Sequence, residues 1–286
     1  MIGTAAAGDR GTGMGRAPGR ASGRAPSAAP KRIKNLVPSK DTTKDWSITV
    51  ALNSGALRAA RPPKEVDLRA PWWPPGHQGD TGSCVGWATA DGVMRHLLVS
   101  AGKIRKDQRL SVRHVWMASK ETDEFRSRPE TFIEESGTSL KAAADIVRKH
   151  GIALDSELPF VVRQTMFLGS IEEFYAACAT RKIASYFNAR KNLDEWRKAL
   201  AAGTPILTGL TTDGSFDDGG RRGVLDRVRP TKDDGGHAIC VVGYRGDGSF
   251  IIRNSWGEGW GDGGFAYATP RYIQARFFDE SFVLTL

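Results

Sequence analysis

Gln78-Gly79-Asp80-Thr81-Gly82-Ser83-Cys84-Val85-Gly86-Trp87-Ala88 runs a glycine-containing loop into a helix and puts a cysteine at the junction. From Cys84 to about Ser100, apolar residues recur at Val85, Ala88, Val93, Leu97 and Leu98 before Gly102, which predicts an amphipathic helix. At its N-terminus the backbone N–H groups lack intrahelical partners, and with the helix dipole they favour thiolate over thiol. The same N–H groups can hold an oxyanion, and the side-chain amide of Gln78, six residues earlier, can join them. Taken alone, a cysteine after Gly-Ser is more often a small core residue than a nucleophile.

Outward from this stretch the chain divides into two kinds of text. Residues 139–150 place Leu140, Ala143, Ala144 and Val147 on one stripe, with Gly151 as the stop. Two shorter helices open with capping boxes, Ser170 with Glu173 and Asn192 with Glu195, the second ending at Gly203. From Pro205 the pattern turns to β: residues 205–210, 237–244, 249–254 and 265–269 are short Val/Ile/aromatic runs punctuated by glycine. Arg245-Gly246-Asp247-Gly248 between Tyr244 and Ser249 reads as a hairpin connection. A helical half followed by a β half predicts an α+β fold of two lobes rather than a wound βαβ sheet. Clefts between such lobes commonly hold sites.

Two further segments carry chemistry. In Gly235-Gly236-His237-Ala238-Ile239-Cys240-Val241-Val242-Gly243-Tyr244 a histidine heads an apolar strand, after two glycines that let another backbone come close. In Ile251-Ile252-Arg253-Asn254-Ser255-Trp256-Gly257-Glu258-Gly259-Trp260-Gly261-Asp262-Gly263-Gly264 a strand ends in asparagine before a Trp/Gly-rich loop. Singly, the histidine reads as a structural hydrogen-bonder and the asparagine as a turn former. Together the three supply a nucleophile, its base and a group that fixes the base's ring. The amide oxygen of Asn254 can accept the His237 N–H, and Trp256 can shield that bond from water.

At this point the sequence resembles the papain-like cysteine peptidases, in their disulfide-poor prokaryotic form. The resemblance runs from roughly Pro63 to Leu286 and rests most on Gly-Gly-His-Ala (235–238) and Arg-Asn-Ser-Trp-Gly (253–257). It includes Val66-Asp67-Leu68-Arg69, Gly137-Thr138-Ser139-Leu140, and the later residues Gly151-Ile152 and Glu157-Leu158-Pro159-Phe160. The order Cys, His, Asn and separations of 153 and 17 residues match the family's habit. The resemblance implies a helical N-terminal lobe at about 84–170, an antiparallel, barrel-like β lobe at about 171–286, and an active-site cleft between them. It implies Cys84 as nucleophile, His237 as base then acid, Asn254 as orienting group and Gln78 as oxyanion donor. It further implies that Gly137 and Gly236 meet the substrate backbone, that Ala238 borders the main side-chain pocket, and that Trp256 flanks the site. Thr81 stands where the family usually has a disulfide cysteine. Val85-Gly86 replaces the usual aromatic residue after the nucleophile, with Trp87 following.

Composition bounds the rest. Of 286 residues, 40% are hydrophobic and 26% charged, enough for a sizeable core. The net charge of +9 suggests nucleic acid, but residues 1–60 carry ten Lys/Arg against three Asp/Glu, leaving +2 for the other 226. Residues 1–30 hold seven Gly, eight Ala, three Pro and four Arg, with almost nothing large to bury. Residues 1–61 are therefore expected to form a low-complexity basic arm, flexible, with a pro-segment as one use for it and weak, non-specific polyanion contact as another. The globular domain is expected at 62–286. Ile33, Leu36, Val37, Trp46, Ile48 and Val50 could dock on something, without a convincing period.

Three cysteines, Cys84, Cys178 and Cys240, make no disulfide framework and fit a reducing compartment, with the last two as core. No apolar run reaches a membrane helix and no signal peptide is visible, so a cytoplasmic monomer is expected, with export by another route left open. The histidines lack ligand spacing, and no phosphate-binding glycine loop occurs, so neither metal nor cofactor is expected. Trp72-Trp73-Pro74-Pro75 reads as packing, His77 as a surface residue and Thr211–Gly236 as a mixed-charge loop at the cleft rim. The expected activity is peptide-bond hydrolysis of polypeptide substrates. Deamidation or transglutamination on the same residues, and a non-catalytic peptide-binding module, remain open alternatives.

Overall fold

The computed structural model describes residues 32–58, 60–122, 137–161, 169–220 and 222–286. The expectation of a flexible arm falls, for residues 1–31, outside them. Strand β5, Gly236–Tyr244, is the spine of the fold. It is apolar on both sides because both sides are covered, the reason a continuous hydrophobic run replaces strict alternation. Ala238, Cys240 and Val242 join a core shared with the Cys84 helix, whereas Ile239 and Val241 join a second core with Trp196, Phe216 and Tyr272. Past a register shift between Val241 and Gly243, Tyr244 also lies in the second core.

Around β5 the strands are β1 (Val66–Asp67), β2 (Ser185–Asn188), β3 (Ile206–Thr211), β4 (Val224–Leu225), β6 (Phe250–Arg253), β7 (Phe265–Ala268) and β8 (Phe277–Thr285). They run in the order β2-β8-β3-β5-β6-β7-β4, with β1 also on β5, and every pairing is antiparallel except β4 with β7. Among the described residues nothing pairs β2 with β4. The lobe expected to be barrel-like is thus, among the described residues, an open sheet. The turn at 245–248 is tight, with the Arg245 N–H donating to the Ser249 carbonyl at 2.8 Å and Gly248 at φ +87°.

The helical layer follows its sequence signals closely. Cys84–Gly86, Trp87–Met94 and Arg95–Ser100 form one continuous helix whose middle is wound as a π-helix. It lies so close to its neighbours that a Cβ on Gly86 would stand 2.7 Å from the Val112 carbonyl oxygen, and one on Gly92 2.9 Å from Cys240 Sγ. The Leu140–Lys149 helix starts at Ser139, whose hydroxyl accepts from the Ala142 N–H. Ser170 and Asn192 cap Ile171–Ala179 and Leu193–Ala201 through Glu173 N–H and through Asp194 and Glu195 N–H. The helices Val112–Thr122 and Pro270–Arg276 and the strands β2 and β8 add to those read from sequence. In β8, Asp279-Glu280 interrupts the apolar period, yet Glu280 is buried and its Oε1 accepts from the Ser39 N–H at 3.0 Å. Ile48 and Ala51, on a short helix Ile48–Asn53, and Leu57 are buried in the second core, so residues 48–57 pack on the same unit as the sheet.

Candidate active site

The loop before Cys84 is held from within. The Gln78 N–H donates to the Ser255 carbonyl (2.8 Å), and Gln78 Oε1 accepts from Ser255 Oγ (2.7 Å). Gln78 Nε2 donates to the Thr81 carbonyl (2.9 Å), leaving its second N–H available. Thr81, at the family's disulfide position, donates instead to the Gln78 carbonyl (2.7 Å) and meets Ser83 Oγ at 2.6 Å. Hydrogen bonds replace a covalent tie. Gly86, in place of an aromatic residue, is what lets the Val112–Thr122 helix approach.

His237 heads β5 opposite Leu210 of β3, and its Nε2 lies 2.7 Å from Asn254 Oδ1. The Ser255 N–H donates to the same oxygen at 2.7 Å and fixes the amide. With Nε2 engaged, Nδ1 is the ring's unpartnered nitrogen among the described residues. Trp256 packs on the imidazole at a centroid distance of 4.7 Å and Phe216 edges it at 5.6 Å, so the His237–Asn254 bond is sealed. Cys84 sits beside the same strand. The N–H groups of Ala238, Val85 and Cys84 itself lie against its sulfur and favour thiolate, but burial outweighs them and pushes the thiol up to about 11. Burial likewise pushes His237 down to about 4 against the raising effect of Asn254, and the charges of Lys34 and Arg32 act in the same direction as burial.

Those two cations belong to residues 32–37, which lie along the site. The Leu36 N–H donates to the Gly236 carbonyl (2.9 Å), and the Val37 N–H to the Thr138 carbonyl (3.2 Å). Three glycines make the approach possible. A Cβ on Gly137, Gly235 or Gly236 would stand 1.8, 2.7 or 2.1 Å from the carbonyl oxygens of Asn35, Lys34 and Leu36 respectively. The Leu36 side chain rests on Gly209, the cross-strand neighbour of Ala238, where a Cβ would come within 2.2 Å. The Arg32 guanidinium stacks 4.2 Å from the centre of the Trp256 ring. Cys84 and His237 are fully buried under this cover.

All eight residues singled out in the sequence therefore lie in one region: Cys84, His237, Asn254 and Gln78 at its centre, Gly137, Gly236, Ala238 and Trp256 around them. Phe216 and Ser255 were not foreseen; residues 32–37 fall in the stretch for which a pro-segment was one expected use, but no contact was assigned to them. Ser255 had a visible signal, a hydroxyl fixed between Asn254 and Trp256; an extended, aperiodic strap has none. Thr211–Gly236 is the rim segment, with a helical turn at Gly214–Asp217 and strand β4. His77 is a turn residue, its Nδ1 accepting from the Gly79 N–H at 2.9 Å. Cys178 and Cys240 are buried and free. Among the described residues no three of His, Cys, Asp and Glu converge as a metal site needs, and no helix is long and apolar enough to cross a membrane.

A model described as papain family cysteine protease matches residues 62–275. The chain belongs to the papain family. Cysteine proteinase 2 of Entamoeba histolytica is 25% identical over 246 residues, 81% of this chain and 70% of the relative. An uncharacterized peptidase C1-like protein, L477, of Acanthamoeba polyphaga mimivirus is 26% identical over 151 residues, and the match spans 49% of that relative's length. Among solved structures, xylellain, a cysteine protease from Xylella fastidiosa, shares the fold with a TM-score of 0.72 at 21% identity, covering 90% of this chain and 97% of that one.

Proposed function

We propose that the chain hydrolyses peptide bonds through a Cys84–His237–Asn254 trio and a thioester intermediate. The observation that carries this reading is the 2.7 Å bond from His237 Nε2 to Asn254 Oδ1, which leaves Nδ1 as the nitrogen to take the Cys84 proton. Cys84 sulfur attacks the scissile carbonyl while its proton passes to His237 Nδ1. Negative charge on the carbonyl oxygen is met by the Cys84 N–H and the free N–H of Gln78 Nε2. His237 then protonates the departing amine, leaving an acyl group on sulfur. Water, deprotonated by the same imidazole, attacks the thioester and releases the acid and the thiol. Asn254 suits the orienting role because it accepts the ring N–H without adding a charge beside the thiolate.

The neutral resting pair implied by a thiol at about 11 and an imidazole at about 4 belongs to a site from which water is excluded. Admitting water weakens the desolvation that dominates both values, and leaves the N–H groups around Cys84 and the Asn254 bond to favour the charged pair. The test is mass spectrometry of a peptide library. Internal cleavage that disappears in Cys84→Ala is expected. Cleavage retained in that variant would overturn the assignment. A mass change of about one dalton, or an amine adduct, at an intact backbone would assign the residues to deamidation or transglutamination instead.

A further inference from the structure

On the rim loop that follows β3 lies a cavity of about 550 Å³ whose polar lining is Ser215, Asp218, Arg222, Asp226, Arg227 and Arg229. Asp218 and Arg229 cancel each other: the Arg229 guanidinium is ion-paired to Asp218 and donates to the Gly214 carbonyl, which fixes it as part of the wall. Arg222 and Arg227 are exposed, and among the described residues no carboxylate pairs with either. Arg271 adds a third cation where an adjoining pocket shares Asp226 and Arg227. Against these three arginines stands one uncompensated acid, Asp226, so the patch carries +2, as much as residues 61–286 carry in all. The backbone at Arg222 is left-handed, φ +55°, between glycines at 220 and 223 in the same conformation, φ +69° and +79°. Glycine or asparagine would hold that turn with less strain, and strain kept at one residue points to a use for its side chain.

We propose that this cavity binds acidic side chains of a polypeptide substrate, on the leaving-group side of the cut. This rests on the peptidase reading above and adds a substrate class to it. Ser215 and Asp218 lie on the helical turn that carries Phe216, and the Phe216 ring edges the His237 imidazole at 5.6 Å. The Trp260 indole N–H donates to the Phe216 carbonyl at 2.7 Å, which fixes the turn relative to the site. His237 protonates the departing amine, so the C-terminal part of a substrate lies on this side. A ring contact and one helical turn together span about 10 Å, which an extended chain covers in about three residues. The acid is therefore expected from the third residue after the cut onward. Planar guanidinium forks take carboxylates through two parallel hydrogen bonds, and both Arg222 and Arg227 are free to turn towards one. Asp226 opposes any anion here and is outnumbered by the arginines.

The test reads two signals. The first is modification of arginines by phenylglyoxal on the full Cys84→Ala chain, located by mass spectrometry. Location matters because the basic residues 1–60 also attract acid. Hexaglutamate at about ten times its Kd should slow modification of Arg222 and Arg227 about tenfold, and hexalysine should not. The second signal is peptide-library hydrolysis by the parent chain. Asp or Glu at the third to fifth residue after the cut should raise kcat/KM about tenfold, the scale of two exposed ion pairs. Arg222→Glu with Arg227→Glu should turn the preference towards Lys and Arg, a reversal that misfolding cannot imitate. Equal modification of both arginines with and without millimolar hexaglutamate would overturn the proposal, as would protection without any acid preference in the cleaved products. Inorganic phosphate that protects as well as hexaglutamate at equal charge would overturn it in favour of a small-oxoanion site. Protection as expected while no peptide is cleaved would sink the peptidase reading and leave an acidic-peptide site standing.

Discussion

Arg253 Nη2 lies 2.6 Å from Asp91 Oδ2, a bond between β6, the strand that leads into Asn254, and the helix that begins at Cys84. Asp91 also meets Arg95 at 3.2 Å and Arg109 at 3.1 Å, and Arg253 donates to the Pro74 carbonyl at 2.8 Å and stacks on Trp73. Burial alone would raise the Asp91 carboxyl, but Arg253 and Arg109 hold it below the usual carboxylate range. The two elements that carry thiol and amide are thus locked to each other by a buried charge cluster. Removing its one acid strands two buried guanidiniums. Asp91→Ala should cost about 3–5 kcal/mol. Urea unfolding should show the loss as a lower midpoint; a change under about 1 kcal/mol would mean that water reaches the arginines.

The close approach of helix to sheet at Gly92 gives a second prediction. A methyl group there would stand 2.9 Å from Cys240 Sγ but 3.7 Å from Cys240 Cβ. Gly92→Ala should therefore destabilise by roughly 1–3 kcal/mol through overpacking. Cys240→Ala removes the obstructing sulfur, so the double variant should be more stable than the sum of the two losses predicts. Strict additivity in a double-mutant cycle would show that the helix shifts as a body instead.

The same contrast explains what the sequence could and could not say. Cys84, His237 and Asn254 are legible because each stands where the backbone changes state, at a helix start, a strand start and a strand end, with glycines marking the approach. The caps at Ser139, Ser170 and Asn192 are legible because they act within three residues. Partners far apart in the chain are not. Lys34 and Asp217 are 183 residues apart, and nothing local to either announces the other. Residues 32–37 have no period because a segment held by backbone contacts, with one isolated bridge from Asn35 to Gly236, needs none. Asp91 shows as a lone acid within an apolar helix, but its arginines come from three different places. In β8, Asp279-Glu280 hides a strand whose buried Glu280 is answered by the Ser39 N–H.

Three buried histidines set the expected acid sensitivity. Burial pushes His96, His114 and His237 each down to about 4 from 6.5. The unfolded chain takes up these protons near 6.5, and the folded chain holds them off until about 4. Their contribution is complete above 6.5 and is lost as the pH falls through that window. Between pH 7 and pH 5 each should cost about 2 kcal/mol, lowering Tm by several degrees. His96 lies against Trp72 and Trp73, and its Nδ1 has no partner among the described residues, so His96→Phe should keep the packing and flatten part of the slope. A Tm profile between pH 7 and pH 5 that is flat in the parent chain would contradict the buried neutral state.

Asn254 should tune the imidazole as well as orient it. Its bond raises the His237 pKa, opposing burial. In Asn254→Ala the ring loses its acceptor in a site sealed by Trp256 and Phe216, and hydrolysis should fall by about a hundredfold, within the range of general acid–base effects. A thiolate–imidazolium pair is active between the loss of the thiol proton and the loss of the imidazolium proton. Withdrawing a group that stabilises imidazolium lowers the second of these, so the alkaline limb of kcat/KM should move to lower pH in Asn254→Ala. Asn254→Gln returns an amide oxygen on a longer arm and should recover part of both effects. The measurement is the pH–rate profile of peptide hydrolysis with and without each substitution. A hundredfold loss with the alkaline limb unmoved would show that Asn254 holds the ring in place without affecting its charge.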